Sequence, residues 1–326
     1  MKSEAIGVVV IGRNEGVRLE RCLKSVLGRV AGVVYVDSGS TDNSVSMARG
    51  MNIEVVELDM SVPFTAARAR NEGFERLLTK LPEIRYVQFV DGDCEVVPGW
   101  IEKAEAFLNS RPDVAAVCGR RRERFPENSA YNLLCDIEWD TPTGEAKSCG
   151  GDALMRADAL SAAGGYRPDL IAGEEPELCV RLRAAGWKVW RLGEEMTLHD
   201  AAMTRFGQWW KRTQRSGHAY AEGAYLHGAP PERHGVADSR RIWLWGLFIP
   251  LAILLAVIVA GWPGLLLAAI YPLQVVRLAI KGDRSTRENW LYAFFLVLGK
   301  FPELQGQLKF HLNRLSAGKT TLIEYK

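Results

Sequence analysis

The chain has 326 residues, a length that fits about two units of structure. Lys and Arg number 41 against 39 Asp and Glu, a formal net charge of +2, so nucleic acid is not an expected partner. The six cysteines (Cys22, Cys94, Cys118, Cys135, Cys149, Cys179) show no zinc-ligand or Cys-x-x-Cys spacing and read as free, mostly buried thiols of a reducing compartment.

Residues 1–5 are mostly polar, and the apolar run 6–11 is too short for a secretory leader. It reads instead as a buried strand. A helix is predicted over 16–27, with Val17, Leu19, Leu23, Val26 and Leu27 on its apolar side. Strands follow at 33–36, 53–58, 86–90 and 114–118, and helices at 41–49, 65–78 and 98–109. Short apolar strands alternating with amphipathic helices predict an α/β fold with a mostly parallel sheet flanked by helices. Ligands of such sheets sit beyond the carboxyl ends of the strands. Asn14, Asp37 and Asp91 all fall at those ends.

The pattern changes near residue 240. Between 242 and 280 the sole charged residue is Arg277. Residues 242–260 form one apolar run, and 265–276 continue it after Gly261-Trp262-Pro263-Gly264. A bilayer core takes about 20 apolar residues per helix, so 236–283 reads as a transmembrane helical hairpin. The alternative is a buried helical pair of a soluble domain, since the second segment is short and carries Gln274. Arg240 and Arg241 precede the first apolar run, Arg277, Lys281, Arg284 and Arg287 follow the second, and the turn between has no charge. That asymmetry puts both ends in the cytoplasm. Trp243, Trp245, Trp262 and Tyr271 suit the membrane interfaces. The expected organisation is an α/β cytoplasmic domain over 1–235, the hairpin over 236–283, and a cytoplasmic or interfacial tail over 284–326. The expected location is the inner (cytoplasmic) membrane, with the α/β domain on its cytoplasmic face.

The strand at 86–90 runs into Asp91-Gly92-Asp93. Two carboxylates at a strand end, with a glycine that lets the backbone turn both toward one point, suit Mg²⁺ or Mn²⁺. Such cations take oxygen ligands and keep positions open for phosphate. Taken alone the tripeptide is equally ordinary turn chemistry. Further motifs stand in order around it: Gly12-Arg13-Asn14-Glu15 after the first strand, Asp37-Ser38-Gly39-Ser40 after the second, Arg70 on a helix, Cys149-Gly150-Gly151-Asp152, and Gly173-Glu174-Glu175-Pro176-Glu177.

In this order and spacing the set resembles the inverting family-2 glycosyltransferases of the GT-A fold, over roughly residues 5–215. The resemblance implies transfer of a sugar from a nucleotide-sugar donor, UDP-sugars being favoured, with Mn²⁺ or Mg²⁺ as cofactor. It implies that Asn14, Glu15 and Asp37 surround the nucleoside, that Arg70 lies near the phosphates, and that Asp93 binds the metal. Asp91 would bond ribose or metal-bound water. The family often has a second aspartate where Ser38 stands. Its general base is the second residue of a Glu-Asp pair opening a helix; here the pair is Glu174-Glu175, so Glu175 takes that role with one more methylene of reach. Neighbouring Glu174 and Glu177 are expected to raise its proton affinity; the other reading is three acids suiting a helix N-terminus. His199 is a candidate third metal ligand or a structural histidine. Asp152 is a candidate for holding a sugar hydroxyl or a turn residue. Arg212 and Arg215 are candidates for clamping the diphosphate from a closing loop, or for an amphipathic helix on the bilayer. The Gln-x-x-Arg-Trp signature of processive synthases is absent, and two membrane helices are too few to line a polymer channel, which points to transfer of a single sugar. The acceptor implied is lipid-linked or an envelope glycan. The rival readings are a catalytically silent nucleotide-sugar-binding subunit of a membrane glycan-assembly complex, and a nucleotidyltransferase, which would want a Gly-rich loop with a cation after the first strand.

Overall fold

The unbroken apolar run at the start of the chain forms β1 (Ser3–Gly12), and Ile6, Val8, Val9 and Val10 within it are fully buried. A run without alternation belongs to a strand covered on both faces. In α1 (Val17–Val26) the residues Leu19, Cys22, Leu23 and Val26 recur at helical spacing and face the core. β2 (Val30–Asp37), α2 (Ser44–Gly50) and β3 (Glu54–Glu57) follow. α3 (Ala66–Lys80) starts at Thr65, whose hydroxyl accepts the Arg68 N–H at 3.1 Å. Gly73 faces the sheet, where a Cβ would stand 2.8 Å from Val36 Cγ2 and closer still to Val9. Only glycine lets α3 lie this near β1 and β2, and the same approach carries Arg70 inward.

β4 (Tyr86–Asp91) and β5 (Cys94–Val96) are separated by Gly92-Asp93 alone. The chain continues through α4 (Trp100–Ser110), β6 (Val114–Glu123), α5 (Ala130–Glu138), β7 (Gly144–Ala146), β8 (Ala153–Arg156), α6 (Ala157–Ala162), α7 (Glu174–Ala184) and β9 (Lys188–His199). Among the described residues nine strands make one sheet of order β3-β2-β1-β4-β8-β6-β9-β5, with β7 beside β9. β3, β2, β1 and β4 run parallel to one another; β8 is antiparallel to β4 and β6; β6 and β9 are parallel; β5 and β7 are antiparallel to β9. Registers of Gly12 with Asp37 and Ile11 with Asp91 bring the ends of β1, β2 and β4 together. Burying one Val, Ile or Phe side chain contributes roughly 1.5–3 kcal/mol. β4 buries Val87, Phe89 and Val90, so the strand leading to Asp91 is anchored in the core. All six cysteines are free and buried.

The computed structural model describes residues 3–316. It divides into two compact units, Met1–Pro126 with Glu138–Ala202, and Glu127–Ile137 with Met203–Lys326. The sheet belongs to the first. The second begins its main run with α8 (Phe206–His227). α9 (Val236–Trp243), a π-helical turn and α10 (Ile249–Ala260) then form one helix, Val236–Ala260. The chain reverses at Gly261, φ +70°, and a 3₁₀ stretch Trp262–Ala269 leads into α11 (Ile270–Lys281). The reversal is tighter than the four-residue turn expected, because Gly264 already lies against the first helix; a Cβ there would overlap the backbone of Ala256 and Val257. Val236–Ala260 and Trp262–Lys281 are each long and apolar enough to cross a membrane. Leu255, Ile258, Val259, Leu266 and Leu273 are all more than half exposed, unlike the buried helical pair of a soluble domain. α12 (Thr286–Leu298) opens on a reciprocal Ser285–Glu288 cap. α13 (Lys300–Leu315) crosses α8 at Gly217 and Gly306, where any side chain would strike the facing backbone. The boundary expected at 235 lies inside this unit, and residues 317–326 of the expected tail lie outside the described residues.

Candidate functional site

Arg70 is the hub of the site. It is 2% exposed, so it does not belong to a solvated helix face. Its guanidinium meets Glu174 Oε1 at 3.0 Å, Asp91 Oδ1 at 2.9 Å and Glu175 Oε1 at 3.0 Å. One cation thus joins the end of β4 to the first turn of α7. Gly151 lets this happen: a Cβ there would stand 3.0 Å from Asp91 Oδ2, 3.1 Å from Glu175 Oε1, and closer still to Arg70.

α7 starts at Gly173 in the left-handed region, φ +79°, without a side-chain cap. Glu174, Glu175 and Glu177 fill its first turn. Glu177 is spent on Arg181, at 2.8 Å. Glu175 has its carboxyl pushed up to about 7, first by burial, then by the charge of Glu174, with Arg70 pulling the other way. Of the two like charges expected from the sequence, Glu174 acts in this direction and Glu177 is not among the causes; burial is the larger cause. A carboxyl that titrates near neutrality and sits in a crevice is suited to accept a proton at physiological pH.

Asp91 and Asp93 do not converge on one point as expected. Asp91 Oδ1 is held by Arg70 and Oδ2 by Arg121, at 3.2 Å. Asp93 instead faces His199, with Oδ2 3.3 Å from Nε2. Nor does Gly92 serve a left-handed turn; it is glycine because a Cβ would meet the Ile11 carbonyl at 3.1 Å and Glu15 Cγ at 3.3 Å. Asp152 is corrected more strongly. It is 1% exposed; its Oδ1 accepts the Asp91 N–H at 2.9 Å and its Oδ2 the Thr197 hydroxyl at 2.7 Å. Its carboxylate positions Asp91 and is not presented to a sugar.

His199 ends β9, 7% exposed. Its Nδ1 lies 3.1 Å from Glu123 Oε2, so the imidazole stands between two carboxylates. Burial and Arg121 hold the ring's proton affinity below that of an ordinary histidine. A neutral imidazole has one lone pair, and whichever nitrogen carries it faces a carboxylate. A cation beside Asp93 and His199 removes that clash. With Cys94 these two form a cluster whose ligand atoms lie within 4.8 Å of one another, and the carboxylate and imidazole suit Mn²⁺ or Mg²⁺.

At the other side of the crevice Asn14, φ +57°, donates its N–H to Ser40 Oγ at 2.9 Å and accepts the Thr41 N–H at 2.7 Å. Asp37 is 2% exposed; it accepts the Tyr35 hydroxyl at 2.7 Å and the Gly39 and Ser40 N–H groups at 3.0 and 2.8 Å. Both residues shape the loop after β2. Glu15 pairs with Arg18 at 2.7 Å. Arg212 and Arg215 belong to the second unit, on the 22-residue helix α8, not on a loop.

Three residues were missed from the sequence: Arg121, Glu123 and Trp139. Arg121 lies 4.8 Å from the Trp139 ring, whose edge in turn faces His199 at 4.6 Å. The run Arg120-Arg121-Arg122-Glu123 follows the strand predicted at 114–118 and belongs to β6. Its signal was alternation, since Arg121 and Glu123 turn inward while Arg122 is exposed.

Residues 7–157 match the family described as Glycosyl transferase family 2. This segment is a family-2 glycosyl transferase domain. The chain is 28% identical over 183 residues to glucomannan 4-beta-mannosyltransferase 2 of Arabidopsis thaliana, across 50% of this chain and 34% of that protein; it spans about a third of that relative's length. Among solved structures, a mannosyltransferase from Pyrobaculum calidifontis, in complex with GDP-Man and Mn²⁺, aligns over 96% of this chain and 89% of its own, with a TM-score of 0.61 and 16% identity. That likeness establishes the GT-A-like fold. The glycosyl transferase domain carries Asp91, Asp93, Asp152 and Arg70, and Glu175 and His199 follow it in the same unit.

Proposed function

We propose that this chain is a metal-dependent inverting glycosyltransferase. It moves one sugar from a nucleoside-diphosphate sugar to a lipid-linked or envelope-glycan acceptor, from the cytoplasmic face of a membrane that the hairpin spans. The observation that carries the reading is Glu175: a carboxyl held near neutrality at the opening of α7, tied through Arg70 to the end of β4.

Inversion needs one in-line displacement at the anomeric carbon, and a base to take the acceptor hydroxyl proton from the face opposite the leaving group. Glu175 is that base, and Glu174 raises its basicity. Asp93 and His199 hold the divalent cation, which when bound supplies the positive charge that offsets the leaving nucleoside diphosphate. Arg70 and Arg121 fix Asp91, and Asp152 fixes its backbone. Asn14, Asp37 and the loop they shape form the nucleoside side of the crevice. The hairpin's exposed apolar surface and its flanking arginines support the membrane placement.

The named relative is a mannosyltransferase and the aligned mannosyltransferase structure holds GDP-Man, so GDP-mannose joins the UDP-sugars as a first donor to test. The assay is release of nucleoside diphosphate by the full chain in detergent, with acceptor lipid extract and Mn²⁺ or Mg²⁺. Loss of release in EDTA and in Asp93→Ala, with folding intact, is the expected result. Full turnover in either condition refutes the metal assignment. Donor binding without any release favours the silent-subunit reading.

A further inference from the structure

Glu123 is a buried carboxylate that no step above uses. It ends β6, directly beside His199 in the parallel β6–β9 register. It is 4% exposed, and its side chain is fully enclosed. Oε2 lies 3.1 Å from His199 Nδ1, while the two oxygens also accept the Ala201 N–H at 3.2 and 3.4 Å, and Oε1 the Phe125 N–H at 3.3 Å. Two backbone amides therefore hold the carboxylate in place. Trp139 packs edge-on against that ring, centroids 4.6 Å apart.

We propose that Glu123 is the positioning residue of the cation site: it accepts the His199 Nδ1–H, fixes the tautomer, and aims the Nε2 lone pair at the point shared with Asp93. This inference rests on the reading of Asp93 and His199 as the cation's ligands. A histidine whose second nitrogen donates to a carboxylate is a stronger ligand, because the acceptor draws the proton away and leaves more charge on Nε2. It also loses less freedom on binding, since only one ring orientation keeps the hydrogen bond. The backbone fixes the rest of the geometry. Cys94 and His199 are paired across β5 and β9, and the Asp200 N–H donates to the Asp93 carbonyl at 3.0 Å. Both ligands thus stand on one short knot of strands, and Glu123 sets the remaining rotation, that of the imidazole.

The test is Mn²⁺ binding to the full chain in detergent without donor, read as free Mn²⁺ by electron paramagnetic resonance. Loss of such an outer partner typically weakens metal binding about 10–100-fold, and Glu123→Gln is expected to fall in that range. Glu123→Asp, which keeps the charge, is expected to bind more tightly than Glu123→Gln. The metal-free unfolding midpoint of Glu123→Gln should stay at the wild-type value while the rise on adding Mn²⁺ shrinks. Activity should recover toward the wild-type kcat at high Mn²⁺, since the ligands themselves remain. If Glu123→Gln binds Mn²⁺ like the wild type while Asp93→Ala and His199→Ala lose it, the inference is overturned and the ligand assignment stands. If Asp93→Ala and His199→Ala also bind like the wild type, the ligand assignment fails first. Should Glu123→Gln not fold, Glu123→Asp decides: wild-type affinity there with a lengthened reach to His199 overturns the positioning role.

Discussion

Arg70 and Glu175 meet at 3.0 Å across the crevice, with their chain positions on α3 and α7. The pairing opposes the effects that raise the Glu175 carboxyl: burial, then the charge of Glu174, then that of Asp91. The result is a base that is largely ionised just above neutral pH and largely protonated below it.

Glu175→Gln should lower kcat by roughly 10²–10⁴ with donor binding nearly unchanged, because a base acts only as transfer occurs. Glu175→Asp should keep partial activity, since it retains the carboxylate but shortens its reach. Glu174→Gln should cost less. Steady-state kinetics alongside donor titration checks all three; an active Glu175→Gln with a dead Glu174→Gln would exchange their roles.

The pH profile follows with a definite sign. A base works ionised, so kcat should rise with pH through about 7, the value to which Glu175 is raised. Removing the Glu174 charge takes away the second-largest raising effect, so the acid limb of Glu174→Gln should move to lower pH. An unmoved limb in that variant shows that another group titrates.

Arg70→Met should leave three carboxylates without their shared cation. Breaking a buried ion pair by removing one partner costs about 3–5 kcal/mol, so unfolding should come at clearly lower temperature or denaturant. Arg70→Lys should be intermediate, because a single ammonium cannot present the guanidinium's fork to all three. Unfolding monitored by near-ultraviolet dichroism checks the order wild type, lysine, methionine.

Gly151→Ala places a methyl group against Arg70, Asp91 and Glu175. Displacement of catalytic groups by about 1 Å can cost on the order of 10²-fold in rate. The expected result is a large fall in kcat with the fold retained, checked by activity and circular dichroism. Wild-type turnover would mean that the crevice opens freely around this loop.

The hairpin makes a topological prediction. In a background without native thiols, an external thiol reagent should label a cysteine at Gly261 and not one at Ser239 or Ser285. Labelling at Ser285 but not at Gly261 refutes two spans with cytoplasmic ends.

Periodicity and turn chemistry were enough to read the α/β alternation and the apolar helical pair, and the family resemblance supplied the ordered motifs at Asp37, Arg70, Asp91 and Glu175, because each depends on residues near in sequence. The partners of those residues did not follow. Arg70 sits between carboxylates from β4 and α7 only because Gly73 and Gly151 allow the backbones to close on it. Asp152 turned from a candidate sugar holder into the support of the Asp91 backbone because β4 and β8 pair side by side. Glu123 reached His199 through the β6–β9 register, across 76 residues of chain. Local pattern reports what a segment buries, whereas the sharing of charge among buried groups is decided by register and close approach. That is why the candidate base was legible in the sequence, and the network that sets its proton affinity appeared only in the folded chain.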